Sequence, residues 1–151
     1  MDREAIRNGY LYAKFRDQQF ALYDEFAKKN GILMNTLLVC NVLYYAKAGM
    51  TQHDICERTF LSKQTVNLNI KKLMKDGYVI SENMPDNRKN KMISMTDKGR
   101  DYCGKVVSHI IWAENQAMSM FSSEEQNQLI DLSRTFTKNL EQLIKQDNEE
   151  G

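Results

Sequence analysis

The stretch "MTQHDICERTFLSKQTVNLNIKKLMKDGYV", Met50 to Val79, decides how the chain folds. Thr51 is a residue type that caps helix N-termini, and Asp54, three residues on, suits the positive end of a helix dipole. Ile55 and Cys56 fall on the inward side of that short helix, which ends near Thr59. Ser62 is a second cap. After it Val66, Ile70 and Leu73 recur at i, i+4 and i+7, with Met74 beside them, so one stripe of a second helix is set for burial. Gln64, Leu68, Lys71, Lys72 and Lys75 fall on the opposite side, and Gly77 stops the helix. Two short helices joined by a tight connection, the second with an outward face of amides, hydroxyls and lysines, form a helix-turn-helix.

Working outward, "YVISENM" and "KMISM" read as two strands. The segment "PDNRKN" between them holds the single proline of the chain and reads as a hairpin tip. A helix-turn-helix followed by such a hairpin is a winged helix. Thr96 caps a further helix from about Asp97 to Met120, with Val106, Val107, Ile110, Ile111 and Ala117 as its apolar set. Ser122 and Glu125 then make a capping box before a last helix carrying Leu129, Leu132, Phe136, Leu140 and Leu143. The tail "KQDNEEG" is polar. On the N-terminal side, Gly31 and Gly49 each close a helical pattern. The first runs from about Asp2 to Lys29 with Leu11, Phe15, Leu22 and Phe26 at helical spacing. The second, about Met34 to Lys47, is apolar on most faces and is therefore central. The expected fold class is mainly α with a small β-hairpin wing. Its expected parts are an N-terminal dimerisation helix (1–33), a winged helix-turn-helix core (34–96) and C-terminal dimerisation helices (97–151).

Bulk properties narrow the function. With 151 residues the chain is long enough to bury a core without staples. Its 21 basic and 20 acidic residues give a net charge of +1, so charge placement matters more than charge total. Between Ser62 and Lys91 seven basic residues face three acidic ones, a net +4, which leaves −3 for the rest. Positive charge is thus pooled on the second helix and the hairpin, where phosphate contacts are made. Cys40, Cys56 and Cys103 are too scattered for a disulfide framework or a CxxC metal site, and His53 and His109 lack further ligands at metal-binding spacing. No metal or cofactor is expected. The charged N-terminus has no apolar leader pattern and no apolar run nears ~20 residues, so a cytoplasmic chain without membrane contact is expected. The sequence contains no GxSxG, P-loop or GxGxxG motif, which argues against an enzyme.

Residues 49–100 resemble the DNA-binding core of the MarR family of winged helix-turn-helix transcriptional regulators. The more specific match is "PDNRKNKMISMTDKGR": an Asp (Asp86), an Arg two residues on (Arg88), a short strand (91–95), then Met95-Thr96 and Gly99. Helix order on both sides agrees as well. The resemblance implies a homodimer on a pseudo-palindromic double-stranded operator, acting as a ligand-responsive repressor. It implies that Arg88 enters the minor groove with Asp86 holding it and Lys89 beside it, a role that a guanidinium on a thin hairpin suits. The second helix is expected in the major groove. There Ser62, Gln64, Thr65 and Leu68 reach base edges, while Lys63 and Lys72 meet phosphates. The family often has basic residues where this chain has Leu68 and Ser81, and both departures lower electrostatic affinity. Relatives bind small aromatic acids between the dimer helices and the winged helix, which makes Tyr10, Phe15, Tyr44, Tyr45 and Trp112 candidate effector contacts. An alternative from another class stays open: a protein-interaction winged helix without DNA function, with outward Leu68 as its anchor.

Overall fold

The computed structural model describes residues 2–147, with the side chains of Asn87, Arg88, Lys89 and Asp147 left aside. The element order is α1 (Arg3–Lys29), α2 (Met34–Tyr45), β1 (Met50–Thr51), α3 (Gln52–Thr59), α4 (Lys63–Lys75), β2 (Val79–Met84), β3 (Asn87–Met95), α5 (Asp97–Ser119) and α6 (Ser123–Asp147). The chain is mainly helical with one small antiparallel sheet of order β1-β3-β2, as the hydrophobic periods predict. Residues 148–151 of the polar tail lie outside the described residues. The chain divides into two compact units, Met1–Ile110 and Ile111–Gly151.

The first unit is built on α2. Leu37, Val39, Cys40 and Leu43 of this helix are all buried. Around them lie Ile55 of α3, Val66, Ile70 and Leu73 of α4, Val79 and Ile93 of the sheet, and Cys103, Val106 and Val107 of α5. Burying a side chain of this size stabilises by about 1.5–3 kcal/mol. Met74, placed with the inward stripe by its spacing, is in fact exposed, because the buried arc of α4 is narrow. The helix starts follow the expected chemistry. Thr51 Oγ1 accepts from Asp54 N at 3.2 Å, and Ser62 Oγ accepts from Thr65 N at 3.1 Å. Gly77 ends α4 with φ 76°, where the Gly77 N–H bonds the Met74 carbonyl and the Tyr78 N–H the Leu73 carbonyl. That pair of hydrogen bonds around a left-handed residue is open to glycine at no steric cost.

The sheet has one strand that sequence patterning does not find. Met50 and Thr51 pair with Ile93 and Met92. Two residues are too few for an alternation to show. The hairpin is also longer than expected: β3 begins at Asn87, so only Pro85 and Asp86 remain as the turn. Val79↔Met95 through Asn83↔Lys91 pair regularly, and the register shifts between Asn83 and Met84.

The base of the hairpin is tied to the start of α5. Thr96 N donates to the Tyr78 carbonyl at 3.0 Å. Thr96 Oγ1 donates to the Gly77 carbonyl at 2.7 Å and accepts from Gly99 N at 3.0 Å. One side chain thus caps α5 and binds the turn that ends α4. Lys98 Nζ adds a bond to the Asp76 carbonyl at 2.8 Å, and the Tyr78 and Tyr102 rings stack at 4.1 Å. Gly99 sits so close to the chain here that an added Cβ would lie 2.1 Å from the Tyr78 oxygen.

The second unit holds the end of α5 and α6. Ser122 N donates to Glu125 Oε2 at 2.8 Å, and Glu125 N to Ser122 Oγ at 3.2 Å, the reciprocal box that the "SSEE" motif predicts. Leu129, Leu132, Phe136, Leu140 and Leu143 of α6 are all exposed in the single chain. In the first unit, Ile6, Tyr10, Phe15 and Leu22 of α1 are exposed too, and only Ala27 of that helix is buried.

Candidate nucleic-acid interface

The face of α4 turned away from the core carries Lys63, Gln64, Leu68, Lys71, Lys72 and Lys75, all exposed. Among the described residues, none of these lysines is held in an ion pair, so their ammonium groups are available to an external anion. Ser62 is exposed and Thr65 half-buried. The Ser62 hydroxyl donates to Thr65 Oγ1 at 2.8 Å while accepting from the Thr65 N–H. Its proton is therefore used inside the helix start, which leaves the Thr65 hydroxyl as the donor of the pair. Asp86 is exposed in the hairpin turn; the side chains of Arg88 and Lys89, with the Asp86–Arg88 pairing, lie outside the described residues.

The pitch of α4 is set by a relay that sequence reading misses. The buried hydroxyl of Thr36 on α2 donates to Asn69 Oδ1 at 2.8 Å, and Asn69 Nδ2 donates to the Thr65 carbonyl at 2.8 Å. Thr36 looks like an ordinary member of a greasy helix, and only the crossing of α2 with α4 reveals its partner. Thr36→Val keeps the shape and removes the donor, leaving the part-buried amide oxygen short of a partner. The expected cost is about 1–2 kcal/mol in urea-induced unfolding, with little change in the m-value.

The connection between α3 and α4 holds a second unforeseen residue. Phe60 closes α3 with φ 57° and ψ 15°, its N–H bonding the Cys56 carbonyl at 2.9 Å. It is the one non-glycine residue with positive φ among the described residues, and its side chain is 93% exposed. The left-handed conformation costs an L-residue about 1–2 kcal/mol.

Of the candidate effector contacts, Tyr45 lines a cleft of about 510 Å³ together with Ala46, Gly49, Met50, Asp54, Glu57 and Arg58. Tyr44 packs over Gly104, whose added Cβ would meet the ring at 3.0 Å, and under the Arg100 guanidinium at 5.4 Å. Arg100 Nη1 also bonds the Tyr44 carbonyl at 3.0 Å. Tyr10 and Phe15 are exposed on α1 and Trp112 is exposed on α5. Cys40 and Cys103 are buried, and the Cys103 thiol donates to Met95 Sδ at 3.6 Å. The neighbouring Cys103, together with burial, pushes the Cys40 thiol far up, while Cys40 and nearby Arg100 bring Cys103 down. Cys56 is half-buried. Among the described residues no three His, Cys, Asp or Glu side chains gather as a metal site, and no helix is long and apolar enough to cross a membrane.

Known proteins carry the same pattern. A family model described as winged helix-turn-helix DNA-binding matches residues 43–80. The HTH-type transcriptional regulator SarZ of Staphylococcus epidermidis is 33% identical over 89 residues, 59% of this chain and 60% of SarZ. The chain thus spans less than two thirds of that relative. AbsC, a MarR family transcriptional regulator from Streptomyces coelicolor, superposes with a TM-score of 0.79 at 15% identity, covering 93% of this chain and 97% of AbsC. The S. aureus MepR–DNA complex superposes with a TM-score of 0.68 at 21% identity over 89% of this chain and 96% of MepR. The exposed lysine face, the three-stranded wing and the flanking long helices together are the winged helix-turn-helix of the MarR-type regulators, and this chain has that fold.

Proposed function

We propose that the protein is a homodimeric, sequence-specific DNA-binding regulator of transcription, without enzymatic activity, acting in the cytoplasm. The observation that carries the proposal is the α4 face: four lysines, an amide and a leucine exposed on a helix whose other side is locked into the core. MepR, of the same fold, is seen bound to DNA, and that partner is carried across here. In this reading Gln64, Thr65 and Leu68 meet base edges and Lys63 and Lys72 meet phosphates. Arg88 of the wing reaches the adjacent minor groove, with Asp86 holding its guanidinium and Lys89 beside it. The exposed leucines of α6 and the apolar residues of α1 are covered by a second copy, which gives 1–33 and 97–151 their dimerisation role. A small aromatic ligand near Tyr44 and Tyr45 shifts the spacing of the two α4 helices away from the ~34 Å of half-sites one turn apart. Such a ligand needs about 100-fold preference for the DNA-incompetent state, about 2.7 kcal/mol.

The test is titration of the protein onto the DNA upstream of its own gene, with random duplex as reference and salt varied. Preference for the upstream duplex, lost in Arg88→Ala, supports the reading. Equal binding to both duplexes, with Arg88→Ala unchanged, rejects it. The second reading, a protein-interaction module, is favoured by Leu68, which is 70% exposed on the same face. Under it, Leu68→Ala weakens capture of a partner protein and Lys72→Ala does not.

A further inference from the structure

Phe60 is a residue the fold has no use for. Its backbone is held in the left-handed region, where an asparagine or glycine sits more easily, and its ring is almost wholly in water. Strain and exposure both work against folding, and the surrounding geometry offers the ring nothing in return. The bonds that shape the corner belong to other groups. The Phe60 N–H bonds the Cys56 carbonyl, Thr59 Oγ1 bonds the Ile55 carbonyl at 2.7 Å, and the Leu61 N–H reaches Thr59 Oγ1 at 3.3 Å. Leu61, half-buried, packs against the core next to it. The corner would form with any residue that tolerates positive φ.

The position of the ring gives it a use. Phe60 lies two residues before Ser62, the cap of α4, at the end of the helix whose first half carries Gln64 and Thr65. Strained residues that survive without a folding role concentrate where something else is bound. We propose that Phe60 is an affinity-determining contact of the DNA interface. Its ring covers apolar groups of the duplex at the edge of the major groove, either deoxyribose carbons or a thymine methyl. The proposal rests on the DNA-binding reading given above and adds an aromatic anchor beside the base-edge contacts of Gln64, Thr65 and Leu68 and the phosphate contacts of the lysines.

Folding and binding are separable here by measurement. Phe60→Gly and Phe60→Asn both relieve the backbone and remove the ring. The expected result is a Tm at or above that of the parent protein, with affinity for the upstream duplex roughly tenfold weaker. Because no phosphate contact is lost, the slope of log Kd against log salt stays as in the parent, whereas loss of a lysine lowers it. Replacing thymines by uracil one at a time identifies the apolar group. A single uracil that weakens the parent but not Phe60→Gly assigns the methyl, and no such position assigns the sugar. Undiminished affinity in both variants overturns the proposal, as does a Tm drop of several degrees, which would make the ring structural. If the parent itself shows no preference for the upstream duplex, the DNA-binding reading fails and this contact fails with it. If the parent binds and the variants bind equally well, this contact alone is wrong.

Discussion

Gly99→Ala lowers the stability of the protein by about 3 kcal/mol, a fall in Tm of roughly 6–12 °C. The new methyl has no room: it would stand 2.1 Å from the Tyr78 carbonyl oxygen and 2.9 Å from Met95 Cγ. A flexible side chain could yield, but a carbonyl in a paired turn cannot. That carbonyl accepts the Thr96 N–H, and Thr96 in turn holds the Gly77 carbonyl, so moving it loosens both the end of α4 and the base of the wing. The same change at Gly9 acts in the opposite sense. That glycine lies within α1 with open space around it, and alanine there adds about 0.5–1 kcal/mol of stability. Thermal melts of the two variants beside the parent decide the matter. A Gly99→Ala protein that melts with the parent would show that the turn can open by more than the structure allows.

The second large effect is electrostatic. Lys63→Ala combined with Lys72→Ala removes two charges from each subunit, four from a dimer on its operator. Each phosphate contact contributes about 0.9 to the slope of log affinity against log salt. The slope therefore falls by between about 3 and 4, and affinity at ~0.15 M salt falls roughly a thousandfold. Both lysines are exposed, so folding is expected to change by less than ~0.5 kcal/mol. Fluorescence anisotropy at four or more salt concentrations measures the slope directly. A reduced affinity with an unchanged slope would remove these two side chains from the phosphate contacts and move the interface elsewhere on the molecule.

The helical skeleton is legible because it is written in short-range chemistry. Thr51, Ser62, Thr96 and Ser122 are caps in the structure as their types suggest, and Gly31, Gly49 and Gly77 all take positive φ. The inward stripe of α4 is equally plain, since Val66, Ile70 and Leu73 repeat at the helical period. Two of the misses share one cause: their reasons lie across the fold. Thr36 acquires its role from Asn69, 33 residues away, and Gly99 acquires its own from the Tyr78 carbonyl. Phe60 hides for a different reason. Apolar periodicity assigns a phenylalanine to a core, and no local pattern announces one turned outward on a left-handed backbone. The aromatic residues grouped as effector contacts show the limit of composition. Tyr44 is engaged with Arg100 and Gly104, Tyr45 opens on a cleft, and Tyr10 and Phe15 stand on an exposed helix face.

The irregular step in the wing sets where this protein can change length. From Val79 to Asn83 the hairpin is held by a regular ladder whose base puts Val79, Ile93 and Met95 into the core, and one residue inserted at that base would turn these side chains outward. Beyond Asn83 and Lys91 the pairing has already slipped, and among the described residues no core side chain lies there. Residues grafted at that point extend or shorten the finger while the body stays intact. Reach along a groove can therefore be retuned as a property separate from the stability of the head that bears it.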